Sequence, residues 1–154
     1  NIMVCKVGGV HDFIKVLDFG LAKAVDTDKQ ARLTAAGAIA GTPLYLAPEA
    51  IQDPDKVDAK ADIYAVGAVG YFLLTGKPVF EAKSVMEILQ MHMKAEPIPP
   101  SKRVPSSIPA ELETLILSAL AKNPSQRPAS TREMLDLLDT WSIRYPWSQS
   151  AARS

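Results

Sequence analysis

One cysteine, no surplus charge and no long apolar run mark this chain by what it lacks. Cys5 has neither a disulfide partner nor a CxxC neighbour, which suits a reducing, cytoplasmic compartment and argues against a thiolate metal site. In the β-rich run 2–6 it reads as a small buried hydrophobe rather than a nucleophile. Lys and Arg number 17, matched by 17 Asp and Glu, so no net field recruits nucleic acid or a membrane surface. The longest uncharged apolar stretch, 63–74, is only 12 residues, too short to span a bilayer, and reads as a helix buried on all sides. Neither an internal repeat nor a low-complexity tract is present. An initiating Met and a signal segment are also missing, so the N-terminus reads as a cut.

What is there is enough for one core: 154 residues, 47% hydrophobic and 22% charged. Two short β-rich runs, 2–6 and 13–17, flank Gly8 and Gly9 and predict a hairpin with a somewhat long turn. From 26 to 48 no apolar period persists, and Pro43 and Pro48 break any helix. A loop of that length is usually functional. Helical periods follow over 60–75, 84–94, 110–122 and 130–142. Ser84 with Glu87 and Ser130 with Glu133 are spaced for capping boxes, and Gly76 stops the first helix. Beyond 141 the pattern dissolves into Ser, Arg, Gln and Ala around Pro146, as at the start of a linker.

The chemistry-bearing residues stand where the hairpin ends. Asp18, Phe19 and Gly20 directly follow an apolar β-run, and 27 positions after Gly20 comes Ala47, then Pro48 and Glu49, preceded by Gly41, Thr42, Pro43 and Tyr45. In order, spacing and strand context this set resembles the activation segment of protein kinases, from DFG to APE. Asp62, Ile63, Tyr64 and Gly67 resemble the start of that family's central helix, and Asn123, Pro124, Arg127 and Pro128 its late NPxxRP element. The likeness covers about residues 1–141, and GTPLYLAPE resembles the serine/threonine branch, in the style of eukaryotic-like (Hanks-type) bacterial kinases.

The resemblance implies a mainly α fold with a short N-terminal β-hairpin: an incomplete kinase-like C-lobe (α+β) over 1–142, with a linker beginning at 143–154. It implies ATP and Mg²⁺ as cofactors and a protein substrate as partner. Asp18 would give a carboxylate to magnesium and Asn1, as the last position of the catalytic loop, an amide oxygen; both are hard donors. Thr42 would help align the acceptor hydroxyl, and Gly20 would permit the segment to rearrange. Glu49 and Arg127 would form a buried ion pair, while Asp62 would accept N–H bonds from the catalytic loop. Each has a plainer alternative: a turn Asp, a solvated Asn, a turn Thr or Gly, and a helix-start acid favoured by the macrodipole.

Thr34 stands where such kinases often carry an activating phosphate, with Thr27 as an alternative, though Ala36 replaces a commonly paired second threonine. The glycine-rich loop, the strand lysine and the HRD aspartate do not occur in these 154 residues, so this segment alone is expected to be inactive. A pseudokinase or a protein-binding scaffold lobe is the competing class. Within it, Met86, Leu89, Met91 and Met93 would form a docking patch, although Met-rich helices more often complete a core.

Overall fold

The structure, a computed structural model, describes residues 2–17 and 43–142. They divide between two compact units: a β-hairpin in one, and in the other a helical array whose described part runs from residue 43 to Leu138.

In the hairpin, β1 (Ile2–Val7) pairs antiparallel with β2 (Val10–Val16). Gly8 and Gly9 alone make the turn, at φ +57° and +85°, the consecutive left-handed states that a two-residue hairpin demands and glycine supplies. The turn is therefore tighter than the sequence suggested, and β2 begins at Val10 instead of 13. His11 and Asp12, polar enough to resemble a loop, lie within the strand as a bulge: Cys5 pairs with Phe13 and Val7 with Val10, leaving both opposite Lys6. Asp12 sits at φ +54°, a conformation aspartate tolerates better than most side chains. Cys5 is half-buried rather than enclosed.

The helical array begins with a 3₁₀ turn, Pro43–Tyr45, and α1 (Pro48–Gln52). Pro48 does not break this helix but opens it, since the first helical position needs no N–H and prefers proline's fixed φ. The axis of the unit is α2 (Ala59–Thr75). The Asp58 carboxylate accepts from the Lys60 N–H at 2.8 Å to cap its start, and Gly76 at φ +68° ends it, donating to Phe72 O. Tyr64, Ala68 and Tyr71 carry its buried face into a core with Ala47, Val79, Phe80, Ile116 and Leu120. The helix is not buried all round, however: Val66 and Phe72 are exposed, and Leu73 is 74% exposed. Because both faces are apolar, hydropathy gave no period from which to tell them apart.

α3 (Val85–Lys94) starts at Ser84, whose Oγ accepts the Glu87 N–H at 3.2 Å. The Glu87 carboxylate reaches back to the N–H of Lys83, one residue before the cap. α5 (Thr131–Ser142) repeats the arrangement with Ser130 Oγ, the Glu133 N–H and the Ala129 N–H. Between them α4 (Ala110–Ala119) stops short of 122, and the chain turns through a further 3₁₀ turn, Pro124–Gln126, capped by the Asn123 side chain. The early stop lets residues 121–127 fold back toward α1 and α2. Along α3, Leu89 is buried and Met91 packs on the core while Met86 is 64% exposed, so its methionines form no single outward patch.

Candidate functional site

Two stretches far apart in sequence converge at Glu49 and Arg127. Glu49 sits in the first turn of α1, held in place because Ala47 and Pro48 before it are buried. Arg127 caps the turn after α4, with its side chain wholly enclosed. Its NH1 donates to Glu49 Oε1 at 2.6 Å and its NH2 to Oε2 at 2.8 Å, a parallel two-bond fork. The remaining N–H groups are also taken: NH1 donates to Lys60 O at 2.8 Å, NH2 to Lys122 O at 3.3 Å and Nε to Ala121 O at 2.8 Å. The guanidinium also lies 5.0 Å from the centroid of the Tyr64 ring. A buried cation with all its donors used holds α1, α2 and the 121–127 turn to one another.

The electrostatics follow from this packing. Burial pushes the Glu49 carboxyl up, but its hydrogen bonds and Coulomb attraction to Arg127 outweigh burial and hold it below the usual 4.5. Under the same ring, the Tyr64 hydroxyl lies 2.8 Å from His92 Nδ1, and burial raises the Tyr64 pKa. Burial, then the nearby Lys122 ammonium, push His92 down to about 4, so the imidazole is neutral. Lys122 is itself lowered to about 8 by burial and by Arg127, with its Nζ 4.5 Å from the Phe80 centroid and donating to Met91 O at 3.4 Å.

Sequence reasoning named Glu49 and Arg127 but not Tyr64, His92 or Lys122 as their neighbours. Tyr64 enters the sequence only as part of the central-helix motif, and the signals for His92 and Lys122, a lone His near the end of an amphipathic helix and a Lys beside an NP turn, are common on solvated surfaces. Asp62 lies exposed in the first turn of α2. Asn1, Asp18, Phe19, Gly20, Thr34 and Thr42, along with Thr27 and Ala36, lie outside the described residues. Among the described residues, no three His, Cys, Asp or Glu side chains gather as a metal site, and no helix is long and apolar enough to cross a membrane.

Comparison with known proteins bears on the same residues. The family model described as protein kinase domain matches residues 1–138. The serine/threonine-protein kinase pkn3 of Myxococcus xanthus is 46% identical over 132 residues, covering 84% of this chain. The serine/threonine-protein kinase PknB of Mycobacterium tuberculosis is 40% identical over 134 residues, covering 87%. A probable PknB of Corynebacterium glutamicum is 39% identical over 137 residues, with the same coverage. The chain spans 24% of the length of the first relative and 20% of the other two.

Proposed function

Because the chain belongs to the protein kinase domain family, we propose that residues 1–142 are the C-terminal-lobe part of a serine/threonine kinase, with a linker starting at 143–154. In this reading the intact protein moves the ATP γ-phosphoryl group to Ser or Thr hydroxyls of a protein substrate. The observation that carries it is the Glu49–Arg127 fork, which ties the end of the segment beginning at Asp18 to the helical array. Tethered there, the segment can bear an acceptor peptide at a fixed place.

The donor set suits magnesium. Asp18 offers a carboxylate and Asn1 an amide oxygen, the hard ligands that a small divalent cation prefers. Asp18 and Asn1 would hold the ion, and the chemistry it would supply is neutralisation of charge on the nucleotide's phosphates. Thr42, directly before the 43–45 turn, is positioned in sequence to orient the acceptor hydroxyl. Thr34, in the middle of the segment, is the proposed phosphorylation site. Transfer needs the N-lobe and an HRD aspartate, so these 154 residues alone have no activity in this reading.

The test is phosphotransfer from radiolabelled ATP by the intact kinase and by its Asp18→Asn variant. Loss of transfer in the variant supports the metal role, and equal transfer removes it. An intact protein that transfers nothing to any Ser or Thr peptide belongs instead with the pseudokinases or scaffold lobes.

A further inference from the structure

Lys122 carries a nucleophile that phosphoryl transfer leaves unused. The residue is half-buried, and its Nζ lies 4.5 Å from the centroid of the Phe80 ring and 5.8 Å from that of Tyr64. Its hydrogen bond goes to Met91 O at a long 3.4 Å, and that carbonyl already accepts the Ala95 N–H at 2.9 Å. Of the three donors an ammonium carries, the protein answers one, weakly. Among the described residues, no carboxylate comes within ion-pair distance of the amine. A second cation shares the ground: the Arg127 guanidinium lies 5.0 Å from the same Tyr64 centroid and donates to Lys122 O at 3.3 Å. Ring faces attract an ammonium but return only part of the water it gives up. Desolvation and a neighbouring cation are the two means by which a protein turns a lysine into a nucleophile, and Lys122 has both. The shift to about 8 agrees with this geometry, with Glu96 pulling the other way without reversing it. His92 is neutral and the Tyr64 hydroxyl keeps its proton, so neither adds a charge.

We propose that Lys122 is an acylation site, whose amine takes a short acyl group from an activated donor of the acyl phosphate class. The inference goes beyond the kinase reading and does not depend on it. In the step, the Nζ lone pair attacks the carbonyl carbon of the donor and a C–N bond forms. The bond from that carbon to the phosphate oxygen breaks, phosphate leaves with the electron pair, and the nitrogen gives one proton to solvent. The amide that results keeps an N–H for Met91 O. Its neutral acyl end needs no counter-ion beside the two rings and Arg127, so the product suits the site better than the ammonium it replaces.

The experiment treats the intact, unaltered protein with acetyl phosphate and follows acetylation of each lysine by mass spectrometry, with the exposed Lys77, Lys94 and Lys102 as internal standards. A lysine titrating near 8 holds on the order of 100 times more free amine at pH 7 than one titrating near 10.4. Half-burial slows the approach of the reagent, so Lys122 is expected to react about 10-fold faster than the standards at pH 7. Its rate should level off above about 8, while theirs keep climbing, so that its lead disappears near pH 10. In urea, where the rings and Arg127 no longer surround it, Lys122 should react no faster than the standards. A Lys122 that stays unmodified, or only keeps pace with Lys77, Lys94 and Lys102 in the folded protein at pH 7, overturns the proposal. So does a lead that survives in urea, since the neighbouring sequence and not the fold would then be its source. An intact protein that transfers no phosphoryl group leaves this measurement unaffected, so failure of the kinase reading and failure of this inference are read separately.

Discussion

Arg127 meets Glu49 across 78 positions of sequence, and both terminal nitrogens engage both carboxylate oxygens while the guanidinium stacks on Tyr64. The Arg127 side chain is fully enclosed and has no water to fall back on. Removing one partner leaves a buried charge unpaired. Arg127→Leu and Glu49→Leu are each expected to destabilise the intact domain by roughly 3–5 kcal/mol in denaturant titrations. Arg127→Lys should recover little, because an ammonium on a flexible stem cannot supply a planar fork of donors. The double Leu variant should cost clearly less than the sum of the singles, since it leaves no orphaned charge.

Acid sensitivity follows from His92. The unfolded chain takes up a proton near 6.5, whereas the folded imidazole resists until about 4 because it is buried and faces Lys122. The neutral ring's contribution is therefore complete above 6.5 and is lost progressively as pH falls from 6.5 to 4, amounting to about 3 kcal/mol across that window. Below 4.5 the Glu49 carboxylate, held low by Arg127, adds its own loss as it protonates. Stability measured against pH should show the first slope in the parent and lack it in His92→Phe. A parent whose stability stays flat between 6.5 and 4 would refute this origin.

Much of this architecture could be read from local pattern, because caps and breakers act over three or four residues. Ser84, Ser130 and Gly76 stand at helix ends as their chemistry requires, and Asp58 caps α2 by the same rule. Tertiary choices were not legible. Nothing in an unbroken apolar stretch says that Tyr64 faces inward and Leu73 outward, or that Pro48 starts a helix instead of ending one. Family resemblance supplied Glu49 and Arg127, which carry motif positions. Tyr64, itself a motif position, joins His92 and Lys122 around them only through packing of α2, α3 and the turn after α4, which no spacing encodes.

Close approach of α2 to α4 depends on two glycines that are not equivalent. A Cβ at Gly67 would fall 2.8 Å from Ala119 Cβ and 3.3 Å from the Ala119 carbonyl carbon, a backbone atom that cannot step aside. At Gly70 the clash is with Ile116 Cδ1, the mobile end of a side chain. Gly67→Ala should therefore destabilise by about 1–3 kcal/mol despite alanine's better helix propensity. Gly70→Ala should cost distinctly less, as Ile116 changes rotamer. Thermal midpoints of the two variants in the same domain test the order, and a Gly67→Ala variant as stable as the parent would mean that the helices can separate freely.

Lys122 presents the opposite case to Arg127, a cation that the fold disfavours. Burial and the Arg127 charge lower it to about 8 from 10.5, although its ammonium touches Phe80 and Met91 O. Between 8 and 10.5 the unfolded chain holds the proton that the folded chain has released, so stability rises with pH through that interval. Lys122→Met keeps the apolar stem against Phe80 and Tyr64 and removes the desolvated charge. At pH 7 the variant is expected to be more stable by about 1 kcal/mol, and its stability should no longer climb between 8 and 10.5. Denaturant titrations at both ends of that range decide the matter. A less stable variant at pH 7 would mean that the ring contacts and the Met91 bond outweigh burial, and that the ammonium is an asset to the site.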